Sequence, residues 1–323
     1  MRAAVSRRYG PPDVVRVTDV DKPAVGADDV LVRVHATTVN RTDCAYRAAR
    51  PFFMRALTGP TRPRRVVLGT EYAGVVDAVG SGVTSFRVGD RVFGYNEGAF
   101  GAHAEYLAVP QGGAIAAMPD ALTFEEAAPG TEGAHYALSF LRVARVRAGQ
   151  NVLVHGATGA IGSAAVQLLK HRGVTVTAVC DTARLELVKG LGADRVVDYT
   201  AQDFTEDEQR YDAVFDAVGK STFGRCRRLL KPGGLYLSSE LGPGWQNVLL
   251  PLVTPLFRGR RVKFPFPRQN QDIVRHIGEL MDTGGFKPVV DRRYPLERIA
   301  DAYRFVETGQ KTGNVVITVV PPD

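Results

Sequence analysis

Val152 to Lys170, VLVHGATGAIGSAAVQLLK, is the stretch whose reading decides the fold. An apolar strand, Val152-Leu153-Val154, runs into Gly156-Ala157-Thr158-Gly159-Ala160-Ile161-Gly162, and a run of helical period follows at once. Small residues at 156, 157, 159 and 162 let the backbone turn tightly and approach a ligand with no Cβ in the way. The helix that follows aims its unpaired N–H groups and positive dipole end at whatever occupies the turn. A pyrophosphate satisfies that geometry. A merely tight turn has the same glycines, so the context decides: strand before, helix after, and an acidic ribose contact about 20 residues on. Gly173 to Cys180 supplies a second strand and Asp181 ends it, nineteen positions past Gly162. The segment predicts a nicotinamide-dinucleotide domain in which residues Gly156 to Gly162 and Asp181 hold the cofactor.

Outward from this turn, strands and helices alternate from about Thr123. Arg195-Val196-Val197, Ala213 to Val218 and Leu235 to Ser238 continue the strands, with helical stretches at Arg184 to Gly190 and Phe223 to Leu230. Such βα units build a doubly wound parallel sheet, giving an α/β fold class. The first 120 or so residues read instead as short β runs, such as Val30 to Val34, Gly74 to Val79 and Arg91 to Gly94, split by Gly, Pro and Asp turns. That rhythm suits a small barrel. Helices near Asp272–Met281 and Leu296–Thr308 and a last strand, Asn314–Val319, close the chain. The expected division is 1–122 for the barrel, 123–264 for the cofactor domain and 265–323 returning to the barrel.

The bulk numbers exclude several classes. No run reaches the 18 or so apolar residues of a membrane helix; the greasiest, Val248 to Phe257, is broken by Pro251 and Pro255. The N-terminus has no apolar signal core, and Cys44, Cys180 and Cys226 are scattered and odd in number. A reducing cytoplasm is the expected setting. The net charge of +7 comes with arginine clusters at 62–65, 225–228 and 258–261, but no nucleic-acid module or stacking platform accompanies them. They read as solvated surface or as groups that meet a phosphorylated ligand.

Val39-Asn40-Arg41-Thr42-Asp43, Leu68 to Gly74, Phe86 to Val92, Gly149 to Lys170, Leu191 to Asp194 with Asp198-Tyr199, Phe215 to Gly219 and Lys231 to Gly234 occur in one order and spacing. In these the chain resembles the medium-chain dehydrogenase/reductase superfamily, in its zinc-free quinone oxidoreductase (zeta-crystallin-like) branch, over essentially its whole length. Thr158 and Ala160 stand where that branch has smaller residues. The resemblance implies a GroES-like β-barrel catalytic domain beside a Rossmann-type cofactor domain. Zinc-dependent relatives place Cys, His and Cys ligands where this chain has Asn40, Thr70 and Pro129, none of which supplies a thiolate or imidazole. A lobe of four cysteines is missing too. No metal is expected, and without a Lewis acid the acceptor must itself delocalise incoming charge, as a quinone or an α,β-unsaturated carbonyl does.

The same resemblance suggests roles for single residues. Asp181 would bond the adenosine ribose and repel a 2′-phosphate, whereas Arg184 and Tyr199 occupy positions that NADPH-using relatives employ, so NADPH is slightly favoured over NADH. Asn40 is either an oxyanion donor or a turn-forming residue beside Asp43. Tyr46 and Tyr72 are candidate proton donors or pocket wall. Glu71 props the local backbone. His135 lies where relatives contact the nicotinamide, Ser238 where they hold its carboxamide, and Asn314 where they close over the cofactor. Phe52 and Phe53, with Met54 and Leu57, form a lid over the acceptor or a locally packed turn.

The expected activity is zinc-independent, NAD(P)H-dependent reduction of quinones or α,β-unsaturated carbonyls by hydride transfer. An enoyl-thioester reductase and a non-catalytic NADPH-binding protein are the alternatives. Arg260 to Pro267 reads as the last strand of the parallel sheet, with one unpaired backbone edge. Pairing of that edge with its own copy predicts a homodimer, with the Leu249 to Phe257 run packed beside it.

Overall fold

The computed structural model describes residues 1–256 and 259–320. Phe257 and Arg258, which the sequence assigns to an apolar run and an arginine cluster, lie outside the described residues, as does the side chain of Leu57. The chain divides into two compact units.

The first unit comprises Met1–Glu132, Gln269–Thr283 and the chain from Pro288 onward. Its opening strands are β1 (Arg2–Val5), β2 (Arg16–Asp19) and β3 (Asp29–Val39). Helices α1 (Arg41–Ala48) and α2 (Met54–Thr58) follow. Then come β4 (Glu71–Val79), β5 (Arg91–Tyr95), β6 (Tyr106–Pro110), β7 (Ile115–Ala117) and the short helix α3 (Phe124–Ala127). Alternation buries Val30, Val32 and Val34 of β3 together with Tyr72, Val76, Val92 and Ile115, and these form the barrel core.

The compact unit continues past the expected limit at 122. The reason is Glu71: its buried carboxylate accepts from the Thr131 N–H and Oγ1 and from the Glu132 N–H, tying that segment to β4.

The second unit comprises Gly133–Arg268 and Gly284–Lys287. Helix α4 (Glu132–Ala144) leads into β8 (Asn151–His155), α5 (Ala160–His171), β9 (Thr175–Cys180), α6 (Leu185–Gly190) and β10 (Arg195–Asp198). The unit continues with β11 (Tyr211–Asp216), α7 (Phe223–Cys226), β12 (Leu230–Ser238), α8 (Gln246–Val253) and β13 (Arg261–Lys263). The strands pair in parallel in the order β10-β9-β8-β11-β12-β13. This is the doubly wound Rossmann order, which reverses direction between β8 and β11. The strand expected over Arg260 to Pro267 is cut to Arg261–Lys263, because Pro265 and Pro267 have no N–H to give a ladder.

The last residues return to the first unit through α9 (Gln271–Asp282), β14 (Val290–Pro295), α10 (Ile299–Glu307) and β15 (Asn314–Thr318). Strand β15 pairs antiparallel with β3, placing Val315 opposite Val39, so the sheet runs β14-β15-β3-β4-β5-β7, with β6 pairing the N-terminal half of β3 opposite β4. In α9 the buried side chains Val274, Ile277, Leu280 and Met281 follow helical spacing.

Candidate functional site

In the second unit, the turn after β8 shows why each glycine is present. Gly156 has φ +80, and a Cβ there would meet Val218 Cγ1 at 2.3 Å. A Cβ on Gly162 would lie 2.0 Å from the Gly156 carbonyl oxygen, so this glycine is what lets α5 lie against the turn. Gly159 differs: it is the N-cap of α5, and a Cβ there would meet only Gly156 O, at 3.7 Å. The space above Gly159 is open, it faces the N-terminus of a twelve-residue helix, and it fits a pyrophosphate. Ala157 is fully buried, while Thr158, Ala160 and Ile161 are half-buried around the same opening.

At the tip of β9, Asp181 Oδ2 accepts from Arg184 Nη1 at 2.6 Å, and Asp181 Oδ1 is buried with no hydrogen-bond partner among the described residues. The two residues assigned opposite preferences for a 2′-phosphate are thus an ion pair. An orphaned acceptor at this strand end suits a ribose hydroxyl. Tyr199 is exposed and follows Asp198, whose carboxylate accepts from Thr182 and Thr200. Ser238 ends β12 fully buried and its Oγ accepts from the Glu240 N–H; the next hydroxyl, Ser239 Oγ, is buried without a partner among the described residues. His135 lies buried on α4.

At the point where the sheet order reverses, His155 Nδ1 lies 3.0 Å from Asp216 Oδ1, while Tyr236 OH and the Ser221 N–H donate to Asp216 Oδ2. Burial pushes the Asp216 carboxyl up, but the bonds from His155 and Tyr236 outweigh it and hold it below its ordinary value. This network braces the ends of β8, β11 and β12 beside the glycine turn. Its signals were His155 directly before Gly156 and the Phe215-Asp216 pair.

In the first unit, Asn40 caps α1. Its Oδ1 accepts from the Asp43 N–H, Asp43 returns the bond to the Asn40 N–H, and Asn40 Nδ2 donates to Thr70 Oγ1 at 2.7 Å. The turn-forming role is therefore filled, and the amide points at Thr70. Asp43 is fully buried, also accepts from the Gly69 N–H, and burial pushes its carboxyl up to about 8. Next to it His103 Nε2 donates to the Thr38 carbonyl and Tyr303 OH donates to His103 Nδ1. Burial lowers the His103 imidazole to about 4.

Tyr72 is corrected from proton donor to core residue. Its place in the β4 alternation points it inward among the barrel valines; it is fully buried, its hydroxyl has no partner among the described residues, and burial raises its pKa. Tyr46 does line a cavity, tilted against Phe100 with ring centroids 4.5 Å apart. Burial and then the Glu97 charge raise its phenol. Phe52 is exposed and Phe53 is at the border of exposure, on the turn before α2. Asn314 Nδ2 donates to the Val289 carbonyl, which fixes the start of β15. Sequence spacing did not reveal the carboxylate of Glu132, buried and accepting from Thr42, or the ammonium of Lys311, which donates to the Gly313 carbonyl and is lowered by burial while the Glu132 and Glu71 charges oppose that shift. Among the described residues no cluster of three His, Cys, Asp or Glu side chains is arranged to hold a metal.

Residues 26–120 match the alcohol dehydrogenase GroES-like domain family, and residues 191–317 match a family described as zinc-binding dehydrogenase. The chain is 32% identical to the 2-methylene-furan-3-one reductase of Solanum lycopersicum, over 99% of this chain and 80% of that protein. It is also 32% identical to the chloroplastic NADPH-dependent alkenal/one oxidoreductase of Arabidopsis thaliana, with the same coverage. The solved quinone oxidoreductase of Coxiella burnetii superposes with a TM-score of 0.89 at 27% identity, covering 99% of both chains. With a Rossmann sheet, a GroES-like barrel and relatives of this kind, the chain belongs to the medium-chain dehydrogenase/reductase superfamily, in its quinone oxidoreductase branch, and is an oxidoreductase.

Proposed function

We propose that the chain is an NADPH-dependent reductase of α,β-unsaturated carbonyls or quinones that works without zinc. The observation that carries this reading is the Asn40 Nδ2 to Thr70 Oγ1 hydrogen bond. At the positions where zinc-dependent relatives have ligands, two neutral side chains bond to each other, and Pro129 has no donor atom to offer. The named activities of the tomato and Arabidopsis relatives and of the Coxiella structure support this acceptor class.

With its pyrophosphate at the Gly159 opening, a reduced nicotinamide dinucleotide would supply hydride to the electrophilic carbon of the acceptor. The chain's own residues do the rest. Gly156 and Gly162 shape the phosphate turn, and Asp181 Oδ1 accepts from the ribose. Tyr46, with its phenol raised by burial and by Glu97, stays protonated at neutral pH and holds a proton for the oxygen of the reduced acceptor. Arg184 neutralises Asp181, which mutes the repulsion of a 2′-phosphate and is consistent with a slight preference for NADPH, as in the Arabidopsis relative's name. In the cofactor unit, His135 and Ser238 are the residues we assign to the nicotinamide end; in the barrel unit, Asn314 keeps the cofactor-closing role the resemblance implies, and Phe52 and Phe53 are assigned to the acceptor.

A homodimer belongs to the same proposal. Strand β13 is the edge of its sheet, and Trp245, Leu249, Leu252 and Val253 on or beside α8 are exposed at spacings that make one apolar stripe. Three free, buried cysteines suit a reducing compartment such as the cytoplasm. No helix among the described residues is long and apolar enough to cross a membrane.

The test follows loss of reduced-nicotinamide absorbance with an enone, a quinone, an enoyl thioester and a simple ketone in turn. Turnover of the enone or quinone and none of the ketone is expected. Tight NADPH binding with no turnover of any acceptor would instead mark a cofactor-binding protein.

A further inference from the structure

Between Asp43 and Glu71 the chain carries six arginines (Arg47, Arg50, Arg55, Arg62, Arg64 and Arg65) and no acidic residue. Elsewhere several surface arginines are paired, such as Arg87 with Asp90, Arg225 with Asp203, Arg275 with Asp272 and Arg298 with Asp301. Among the described residues the unpaired ones are not gathered beside a cavity with an aromatic wall. Within the run, Arg47 reaches Glu307. Among the described residues Arg55, Arg62, Arg64 and Arg65 have no carboxylate partner. Arg55 lies against the rings of Tyr9 and Phe52, its carbon 5.2 and 5.1 Å from their centroids, and its Nε is buried without an acceptor.

Two of these arginines border a cavity of about 270 Å³ lined by Tyr46, Thr58, Arg64, Arg65, Leu68 and Phe100 among others. Its floor is apolar and aromatic, and Tyr46, the candidate proton donor, forms one wall. Glu97, whose charge reaches Tyr46, accepts from Tyr95 and Gln269, so its carboxylate is already engaged. Arg64 and Arg65 beside a cavity whose nearby acid, Glu97, already accepts two hydrogen bonds leave an excess of positive charge and free guanidinium donors, the arrangement that recognises an anion through charge-assisted hydrogen bonds. It has no use for a neutral quinone.

We propose that this cavity takes the anionic arm, a carboxylate or phosphate, of an unsaturated carbonyl or quinone acceptor, held by Arg64 and Arg65 while the conjugated system lies on Leu68, Phe100 and Tyr46. The proposal rests on the reductase reading above and narrows its substrate class to anionic acceptors.

The experiment compares 4-oxo-2-pentenoate with its methyl ester, which differ in charge at one end. The readout is the ratio of their kcat/KM values with NADPH, in wild type, in Arg64→Gln/Arg65→Gln and in Arg16→Gln. Arg16→Gln removes an exposed charge outside the cavity lining. The acid-to-ester ratio should fall at least tenfold in the double variant and stay within twofold of wild type in Arg16→Gln. An unchanged ratio in the double variant, or an equal fall in Arg16→Gln, overturns the proposal. Competition by inorganic phosphate against acetate distinguishes the two sources of negative charge. If wild type reduces neither acceptor, the reductase reading fails on its own. Calorimetric titration of the saturated acid 4-oxopentanoate into the NADP⁺-loaded protein then decides the cavity: binding at least tenfold weaker in the double variant supports it, and absent or unaltered binding rejects it.

Discussion

The turn of the cofactor unit and the corner of the barrel unit around Asn40 and Thr70 solve recognition by opposite means. In the turn, the backbone is the binding surface. Side chains are excluded at Gly156 and Gly162 because their own Cβ atoms would strike Val218 and the Gly156 carbonyl, and space is left free at Gly159. In the corner, side chains hold one another: Asn40 to Asp43 and Thr70, Asp43 to Gly69, His103 to Thr38 and Tyr303. A backbone site announces itself in sequence by what is missing. A side-chain site depends on partners brought together from far along the chain, as Asn40 and Thr70 are from thirty positions apart.

The sharpest break of this comparison separates the glycines by role. Gly162→Val forces a Cβ to within 2.0 Å of a carbonyl oxygen, so it should cost about 3 kcal/mol or more of folding stability, read as a drop in the denaturation midpoint. Gly159→Val, whose Cβ has room, should fold and show its effect on the cofactor. Its dissociation constant should rise at least tenfold, about 1.4 kcal/mol. Equal stability losses in the two variants would mean that the turn does not divide into a folding glycine and a binding one.

Acid should remove what His103 contributes to the corner. His103 is neutral and buried, with its Nδ1 accepting from Tyr303, so protonation sets a second N–H against that hydroxyl. Its folded value, lowered to about 4 from 6.5, means that its stabilisation is complete above the unfolded pKa and is lost as pH falls through the folded one. Up to roughly 3 kcal/mol is at stake. Asp43, raised to about 8 in the same corner, acts with the opposite sign and gains stability as pH falls, so the His103 contribution is read as a difference: the stability of wild type relative to His103→Gln should fall between pH 6.5 and 4. Parallel curves for the two proteins would remove His103 from the account.

Much of the fold was legible because its signals are local. Alternation marked β3, β4 and β5, the strand–glycine–helix run marked β8 and α5, and Asp181 lay at the expected distance. The misreadings came from geometry that sequence hides. Tyr72 stood in a suggestive motif beside Glu71, yet period-two alternation turns it into the barrel core. Asp181 and Arg184 were weighed as rivals, and only the structure shows them as a 2.6 Å pair. The arginines at 64 and 65 read either as solvated surface or as groups that meet a phosphorylated ligand, and sequence does not show the cavity that Tyr46, Leu68 and Phe100 line beside them. The boundary near 122 moved because the Glu71 carboxylate, a side chain from another strand, claims Thr131 and Glu132.

The central claim is that this chain carries hydride to a conjugated acceptor without a metal. The most direct measurement uses NADPH deuterated at nicotinamide C4 with an α,β-unsaturated ketone, in protein freed of metal by chelation, and locates the label in the product by NMR. The account predicts deuterium on the β-carbon of a saturated ketone, formed at an undiminished rate. Deuterium on a carbinol carbon, or turnover that vanishes on chelation and returns with zinc, would contradict it.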